Sequence, residues 1–254
     1  MFYALSVSLV ALGLFLGMLL ALEVGRHLGT QRRAKEPDGI ASGAVDGAVF
    51  GLLGLLVAFS FSGALSRFDA RRQLIVEEAN AIGTAYLRLD LLPAHAQEAL
   101  RDDFRRYVDG RLEVYRKLPD LAAARAELAR SSELQGQIWR RAVAACEGAP
   151  QATMLLLPAL NQMIDITTTR TMAAETHPPF VVFAMLWATA LAASVLAGYG
   201  MSGAKLRNWV HILSFAAATS IAVYVILDLE YPRLGLIQVT GFDRVLGELR
   251  ATMR

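Results

Sequence analysis

The sequence predicts an all-α membrane protein: four transmembrane helices with a helical aqueous domain inserted between the second and the third. Hydrophobic residues make up 55% of the 254 residues, and the mean hydropathy of +0.40 is high for a soluble protein. Charged residues are absent from four blocks, each of a length that crosses a bilayer as a helix. These blocks are residues 3–22, 47–66, 180–204 and 208–227. The region between the second and third blocks is polar and has helical apolar periodicity.

The first apolar block predicts a retained membrane span. It begins without a basic region and ends in LEVGRHLG, which has no small-residue cleavage site, so a signal peptide is not indicated. Residues 25–43 contain several charged side chains, Pro37 and several glycines, a composition typical of a loop. We therefore expect residues 1–66 to form two transmembrane helices with a connecting loop.

The second apolar block predicts a span that continues into water. Three basic residues follow it directly: Arg67, Arg71 and Arg72. No strong helix breaker occurs before Pro93, so one helix is expected to cross the membrane and extend beyond it. Gly47 and Gly51 lie one helical turn apart and favour close contact with another helix. The spacing leaves open whether that helix belongs to the same chain or to another molecule.

The region 67–178 predicts an all-helical aqueous domain. Its helices are expected over residues 67–92, 94–118, 121–146 and 151–175. Asp120 has the residue type and position of an N-cap for the third of these helices. Four charged residues on the second helix are expected to form a solvated face: Asp102, Asp103, Arg105 and Arg106.

The last part of the chain predicts the third and fourth spans. Residues 179–230 are expected to form two transmembrane helices, joined by a short turn at 200–207. The third block is rich in alanine, which suits close helix packing. Residues 231–254 are expected to form a short tail.

The composition argues against several classes of function. A formal net charge of +2 and the lack of a basic patch with interleaved aromatics do not indicate nucleic-acid binding. The four histidines are scattered and the one cysteine, Cys146, belongs to no ligand motif, so no metal and no cofactor is predicted. A single cysteine also excludes an intramolecular disulfide and leaves the role of Cys146 undetermined. The adjacent carboxylates Glu77 and Glu78 point about 100° apart on a helix, and no nucleophile motif occurs, so an enzyme is not predicted.

The apolar blocks restrict the kind of pore that the chain can form. None of them carries a charged residue near its middle, which argues against a proton relay or a charged transport site at mid-bilayer. A pore would therefore need an apolar constriction that gates by wetting and drying. Four helices are too few to enclose it, so a conducting form requires a homo-oligomer with the pore on its symmetry axis.

Two stretches of the sequence resemble the bestrophin family and, more closely, bacterial bestrophin-like proteins, a group without an established function. The first covers about residues 44–93 and contains, in order, GLLVAF, RFDARR and EEANAIGTAYLRLDLLP. The second is weaker, covers about residues 161–187 and contains NQMID and HPP. Bestrophins are pentameric anion channels with four spans and a large cytosolic helical region. The resemblance therefore implies a location in the cell membrane, with residues 67–178 and both termini in the cytoplasm.

The resemblance implies that three positions on the second span line the neck of a pore: Gly51, Leu55 and Phe59. Their four-residue spacing also puts them on one face of a helix without reference to the family. Glycine cannot narrow a pore, so Leu55 and Phe59 are left to form the constriction, with plain helix packing as the alternative. The calcium clasp of bestrophins uses a C-terminal acidic run that this chain lacks, so calcium activation is not predicted.

The leading prediction is a homo-oligomeric membrane channel, a pentamer if it follows the family, that passes small anions. Arg67 and Arg71, one turn apart, would add a vestibule ring of positive charge that raises the local anion concentration. Anchoring to lipid phosphates, or pairing with Asp69 and Glu77, is the alternative for these arginines. The alternative function is a non-conducting, membrane-anchored interaction or scaffold protein, which an exposed apolar patch within residues 94–148 would favour. Basic residues flank the spans in equal numbers on both sides, so charge does not decide the orientation.

Overall fold

The structure, a computed structural model, confirms the all-helical class. It describes residues 2–35, 43–203 and 207–253, and over these residues it contains eight α-helices and no strand. The helices are α1 (Phe2–Lys35), α2 (Gly43–Leu87), α3 (Ala94–Arg116), α4 (Leu121–Ala145), α5 (Pro150–Glu175), α6 (Phe180–Gly200), α7 (Trp209–Glu230) and α8 (Arg244–Thr252).

Four helical segments have the length and apolar composition needed to cross a membrane. They are Val7–Lys35, Gly43–Leu91, Pro150–Gly203 and Trp209–Glu230. The predicted number of spans is therefore matched by the helices of the described chain. As the sequence predicts, α2 is one helix that runs on from its apolar part, and it ends in a 3₁₀ turn over Arg88–Leu91 before Pro93.

The prediction of a connecting loop at residues 25–43 is wrong for its first half, because α1 continues to Lys35. Residues 36–42 lie outside the described part of the chain. Gly25, which resembles a loop residue in the sequence, lies where α1 meets α6. A Cβ atom built on Gly25 would lie 1.9 Å from the carbonyl oxygen of Val195. The glycine is therefore required for close packing of two helices, and it does not end α1.

The chain divides into two compact units. The first contains Met1–Ser66 and His177–Tyr231. Within it α1 packs against α6 and α7, and the side chains of Leu14 and Met18 on α1 are fully buried. The alanine-rich sequence of α6 contributes the fully buried Ala190 to this packing.

The second unit contains Arg67–Thr176 and Pro232–Arg254. Its apolar core is built from the end of α2 and from α3, α4, α5 and α8. Its fully buried apolar side chains include Ile82, Ala85, Leu89, Phe104, Tyr107, Val108, Ile138, Ala142, Leu156, Leu160, Met163 and Leu246. The Asp120 carboxylate accepts hydrogen bonds from the amides of Ala122 and Ala123, both at 3.0 Å, which confirms the predicted N-cap of α4.

The final residues pack into this second unit. Leu246 on α8 is fully buried in the core. The Arg250 guanidinium donates two hydrogen bonds to the Asp109 carboxylate on α3, at 2.8 and 3.0 Å. Residues 231–254 thus include a helix that is held to α3 by packing and by an ion pair.

One member of the predicted solvated face on α3 is buried. The Asp103 side chain has no solvent exposure and is paired with Arg106 and with Arg141. Asp102 and Arg105 pair with each other, and Asp102 remains 59% exposed. The prediction is therefore wrong for Asp103. Its carboxylate pairs with Arg141 of α4, a distant partner that the local sequence around Asp103 does not indicate.

Candidate functional site

The apolar part of α2 has two faces with different surroundings. We call the side of Phe50, Leu53 and Ala64 the inner face. Leu53 and Ala64 are 4% and 0% exposed. The Phe50 ring meets Phe215 of α7 edge to face, with ring centroids 5.8 Å apart. The inner face therefore attaches α2 to the first unit.

We call the opposite side of α2 the outer face. Two of the three predicted neck side chains are exposed on it. Leu55 is 50% exposed and Phe59 is 67% exposed. At about 100° per residue, Leu55 points about 160° from Leu53 and about 180° from Ala64. Gly51, the third predicted neck position, is also exposed on this face. The outer face is thus an apolar surface without a partner in the described part of the subunit.

The glycines near the start of α2 do not pack against the rest of the described subunit. A Cβ atom built on Gly47, Gly51 or Gly54 would meet no atom within 4 Å in the described chain. By contrast, a Cβ atom on Gly198 of α6 would lie 1.9 Å from the carbonyl oxygen of Leu22. The described residues therefore provide no contact within the subunit for the predicted packing pair Gly47 and Gly51.

The two predicted vestibule arginines lie elsewhere around α2. Arg71 is 8% exposed, and its guanidinium donates hydrogen bonds to the carbonyl oxygens of Ala173 and Thr176, both at 2.9 Å. These carbonyls belong to the C-terminal end of α5, where a cation is favourable. Arg67 is half-buried. At about 100° per residue, Arg67 and Arg71 point about 120° and 160° away from Leu55, so they are not on the outer face.

Two hydroxyl groups that the sequence reasoning missed do lie on the outer face. Ser62 and Ser66 follow Leu55 by seven and eleven residues and are exposed. This spacing directs each of them within about 20° of Leu55. The signal was available in the sequence as two serines in helical register with the predicted neck.

A buried ionic cluster in the second unit was also missed. Glu78 has no exposure and binds Arg111 at 2.6 Å and Arg170. Three guanidinium groups lie over the Tyr115 ring, those of Arg111, Arg170 and Arg233, at 5.6, 4.8 and 3.9 Å from its centroid. Burial raises the pKa of the Tyr115 phenol, so its hydroxyl stays neutral and accepts a hydrogen bond from Arg111 at 2.9 Å. The spacing of Glu78 from Ile75 and Ile82 was the available signal, because it places the carboxylate on the apolar side of α2.

This cluster is a packed ionic network and not an open site. Arg233 also pairs with Asp243 through two hydrogen bonds of 2.7 and 2.9 Å. Among the described residues, no group of three or more histidine, cysteine, aspartate and glutamate side chains is arranged to hold a metal. The buried charges are therefore paired with one another within the second unit.

The chain is similar to a known protein family and to known structures. The family model described as Bestrophin-like domain matches residues 12–241. No curated protein sequence matches the chain. Crystal structures of a bacterial bestrophin homolog from Klebsiella pneumoniae have the same fold at low sequence identity. One of them is 15% identical, with a TM-score of 0.69 over 92% of this chain and 97% of that chain. A variant of that protein is 14% identical, with a TM-score of 0.71 over 97% of this chain and 98% of that chain.

At 14% and 15% sequence identity, these structural matches support a common fold and nothing more specific. The family match, however, covers nearly the whole chain, including α2 with both its faces and the buried ionic cluster. The four apolar helices agree with a membrane location. The chain belongs to the bestrophin-like family.

Proposed function

We propose that the chain is one subunit of a homo-oligomeric channel of the cell membrane that passes small anions. In this channel α2 of each subunit lines a central pore, and Leu55 and Phe59 form its apolar neck. Gly51 occupies a wider level of the pore, because it has no side chain to narrow it. The observation that carries the proposal is the outer face of α2, where Leu55 and Phe59 are 50% and 67% exposed opposite a buried inner face.

The open outer face supports a homo-oligomer. A pore-lining side chain must face away from its own subunit, and Leu55 does so. The glycines at 47, 51 and 54 point about 80°, 40° and 100° from Leu55, all on one flank of the outer face, and leave that flank free for close approach by a helix of another copy. A ring of copies around one axis satisfies both requirements, and a pentamer follows from the resemblance to bestrophins.

Arg67 and Arg71 would supply the positive vestibule charge from a distance, because neither points along the outer face. Arg71 is the second residue of that predicted ring, but its guanidinium is bound to two carbonyl oxygens of α5. We therefore give Arg71 the role of fixing the end of α5, from which its charge adds to the potential over a longer distance. Residues 67–178 are placed in the cytoplasm, as the family resemblance implies.

The scaffold alternative is not favoured by the surface that was expected to support it. Between residues 94 and 148, the large apolar side chains with high exposure are Leu121 at 57% and Val143 at 40%. They lie near opposite ends of α4 and form no patch. The exposed apolar surface on the outer face of α2 is the stronger feature.

The test is anion flux through the purified protein in liposomes loaded with chloride. Phe59→Ala is expected to raise the efflux by about twofold or more, or to relax selectivity among halides, because it widens an apolar constriction. The matched control is Phe61→Ala, which changes the same residue type on the same helix. Phe61 is 41% exposed and points about 160° away from Phe59.

The two variants separate the pore face from the rest of α2. Phe61→Ala should leave the efflux close to that of the wild type. Equal effects of the two variants, or no efflux from the wild-type protein, would contradict the proposed function.

A further inference from the structure

Ser62 and Ser66 place two hydroxyl groups on the outer face of an apolar spanning helix. Both serines are exposed on the outer face, and neither has a hydrogen bond in the described chain. Elsewhere in the spanning helices, Thr189 donates to the carbonyl of Met185 and Ser194 to that of Ala190, both at 2.8 Å. Such back-bonding satisfies a hydroxyl without water.

The surroundings of these two hydroxyls require a polar partner. An unsatisfied hydroxyl in hydrocarbon is costly, whereas one that lines a water-filled path is not. Ser62 and Ser66 point within about 20° of Leu55, so whatever space Leu55 faces, the two serines face it too. The hydrogen bonds of these two hydroxyls are therefore accepted by water or by a solute in that space.

We propose that Ser62 and Ser66 form hydroxyl rings directly beyond the neck and donate hydrogen bonds to the permeating anion. This role rests on the proposed channel function and adds to it the residues that set selectivity. An anion in an apolar constriction has lost part of its hydration shell, and hydroxyl donors on the same face restore it. Neutral donors suit a path of conduction because they bind an anion more weakly than a buried guanidinium does.

The hydroxyl rings predict a particular order among anions. Chloride loses more hydration energy in the neck than iodide or thiocyanate, so chloride depends more on the replacement donors. Loss of the hydroxyls should therefore slow chloride more than it slows the larger anions. The ratio of iodide to chloride flux is the quantity that reports the role.

The first experiment measures that ratio in proteoliposomes. The double variant Ser62→Ala with Ser66→Ala is expected to lower chloride efflux about tenfold, the size of a lost hydrogen bond to a charged group, and to raise the iodide-to-chloride ratio. Ser62→Thr with Ser66→Thr keeps the donors and should retain the wild-type ratio. Ser60→Ala is the matched control, because Ser60 is half-buried and points about 140° from Leu55.

The second experiment does not depend on flux. Ser62→Cys and Ser66→Cys, made separately with Cys146→Ala, should react with a membrane-impermeant anionic thiosulfonate in proteoliposomes, whereas Ser60→Cys should not.

Absence of reaction at both positions would overturn the hydroxyl rings, because the residues would then face lipid or protein. An unchanged ion ratio in the double alanine variant would also overturn them. If Phe59→Ala still altered the flux in that case, the channel itself would stand. A wild-type protein without flux would overturn both.

Discussion

At the scale of single residues, Glu78 provides the buried negative charge that balances two buried arginines of the second unit. Its carboxylate is fully buried and is shared by Arg111, at 2.6 Å, and Arg170. Both guanidinium groups are themselves almost fully buried, at 2% and 7% side-chain exposure. Removing the negative charge would therefore leave two buried cations without their counterion.

Glu78→Gln is expected to destabilise the protein strongly. Loss of one partner from a buried ion pair costs roughly 3–5 kcal/mol, which corresponds to a fall in melting temperature of roughly 6–20 °C for a domain of this size. Thermal unfolding of the detergent-solubilised protein measures the shift. Glu77→Gln is the control, since the neighbouring carboxylate is exposed and is bound to Gln73 on the same helix. Similar melting temperatures for the two variants would show that the buried pairs do not hold the unit together.

Residue roles that depend on local spacing were predictable, and those that depend on distant partners were not. Asp120 was recognised as an N-cap because its partners, the amides of Ala122 and Ala123, lie two and three residues away. For Arg71 the sequence predicts a vestibule charge, with lipid anchoring or a local ion pair as the alternative, because its partners, Ala173 and Thr176, are more than one hundred residues away in the chain. Nothing in the sequence near Arg71 indicates those carbonyls.

At the scale of elements, the crossing of α1 and α6 depends on two glycines that face opposite backbones. A Cβ atom on Gly25 of α1 would lie 1.9 Å from the oxygen of Val195, and one on Gly198 of α6 would lie 1.9 Å from the oxygen of Leu22. Because the obstructing atoms are backbone, no side-chain rotation can relieve the clash. The two helices approach as closely as small residues permit.

Gly198→Ala is therefore expected to force α1 and α6 apart. Overpacking of a well-packed contact costs roughly 1–3 kcal/mol, and the backbone obstacle places this variant at the upper end of that range. Gly200→Ala is the matched control, because a Cβ atom there meets nothing within 4 Å in the described chain. The melting temperature of Gly198→Ala should fall well below that of Gly200→Ala. A negligible difference in melting temperature would mean that α1 and α6 can move apart at little cost in free energy.

The same crossing explains why the end of α1 could not be predicted. Gly25 and Gly29 stand among charged residues, a composition typical of a loop. Their small size is used in packing against α6, which is more than 160 residues later in the chain. By contrast, the apolar periodicity of α3 and the capping residue of α4 are local signals, and they predicted those helices to within a few residues.

At the scale of the whole molecule, the apolar part of α2 is the candidate span that the described subunit covers least. Its most apolar stretch is 11% buried, against 22% for each of the other three candidate spans. Exposed apolar area is expected on a lipid-facing helix. Contact with lipid does not require small residues, however, and larger apolar residues would serve it equally well at positions 47, 51 and 54. Small residues on an open face are useful when another backbone approaches closely. We therefore propose that the flank of α2 with these glycines contacts a neighbouring copy in the assembly, beside the side chains that face the pore.

Gly47→Leu tests the assembly apart from the conduction. The added side chain meets nothing within 4 Å in the described subunit, so helix content should stay the same, as judged by circular dichroism. In a ring of subunits the same side chain would occupy the space needed by a neighbouring helix, so the mass of the purified particle should fall towards that of a single chain. Native mass spectrometry measures the number of copies. Gly200→Leu, which also adds a leucine at an open position, should leave that number unchanged, because Gly200 lies at the end of α6 and not on α2. If wild-type and Gly47→Leu particles both contained one subunit, a pore on a shared axis would be impossible and the exposed Leu55 and Phe59 would simply face lipid.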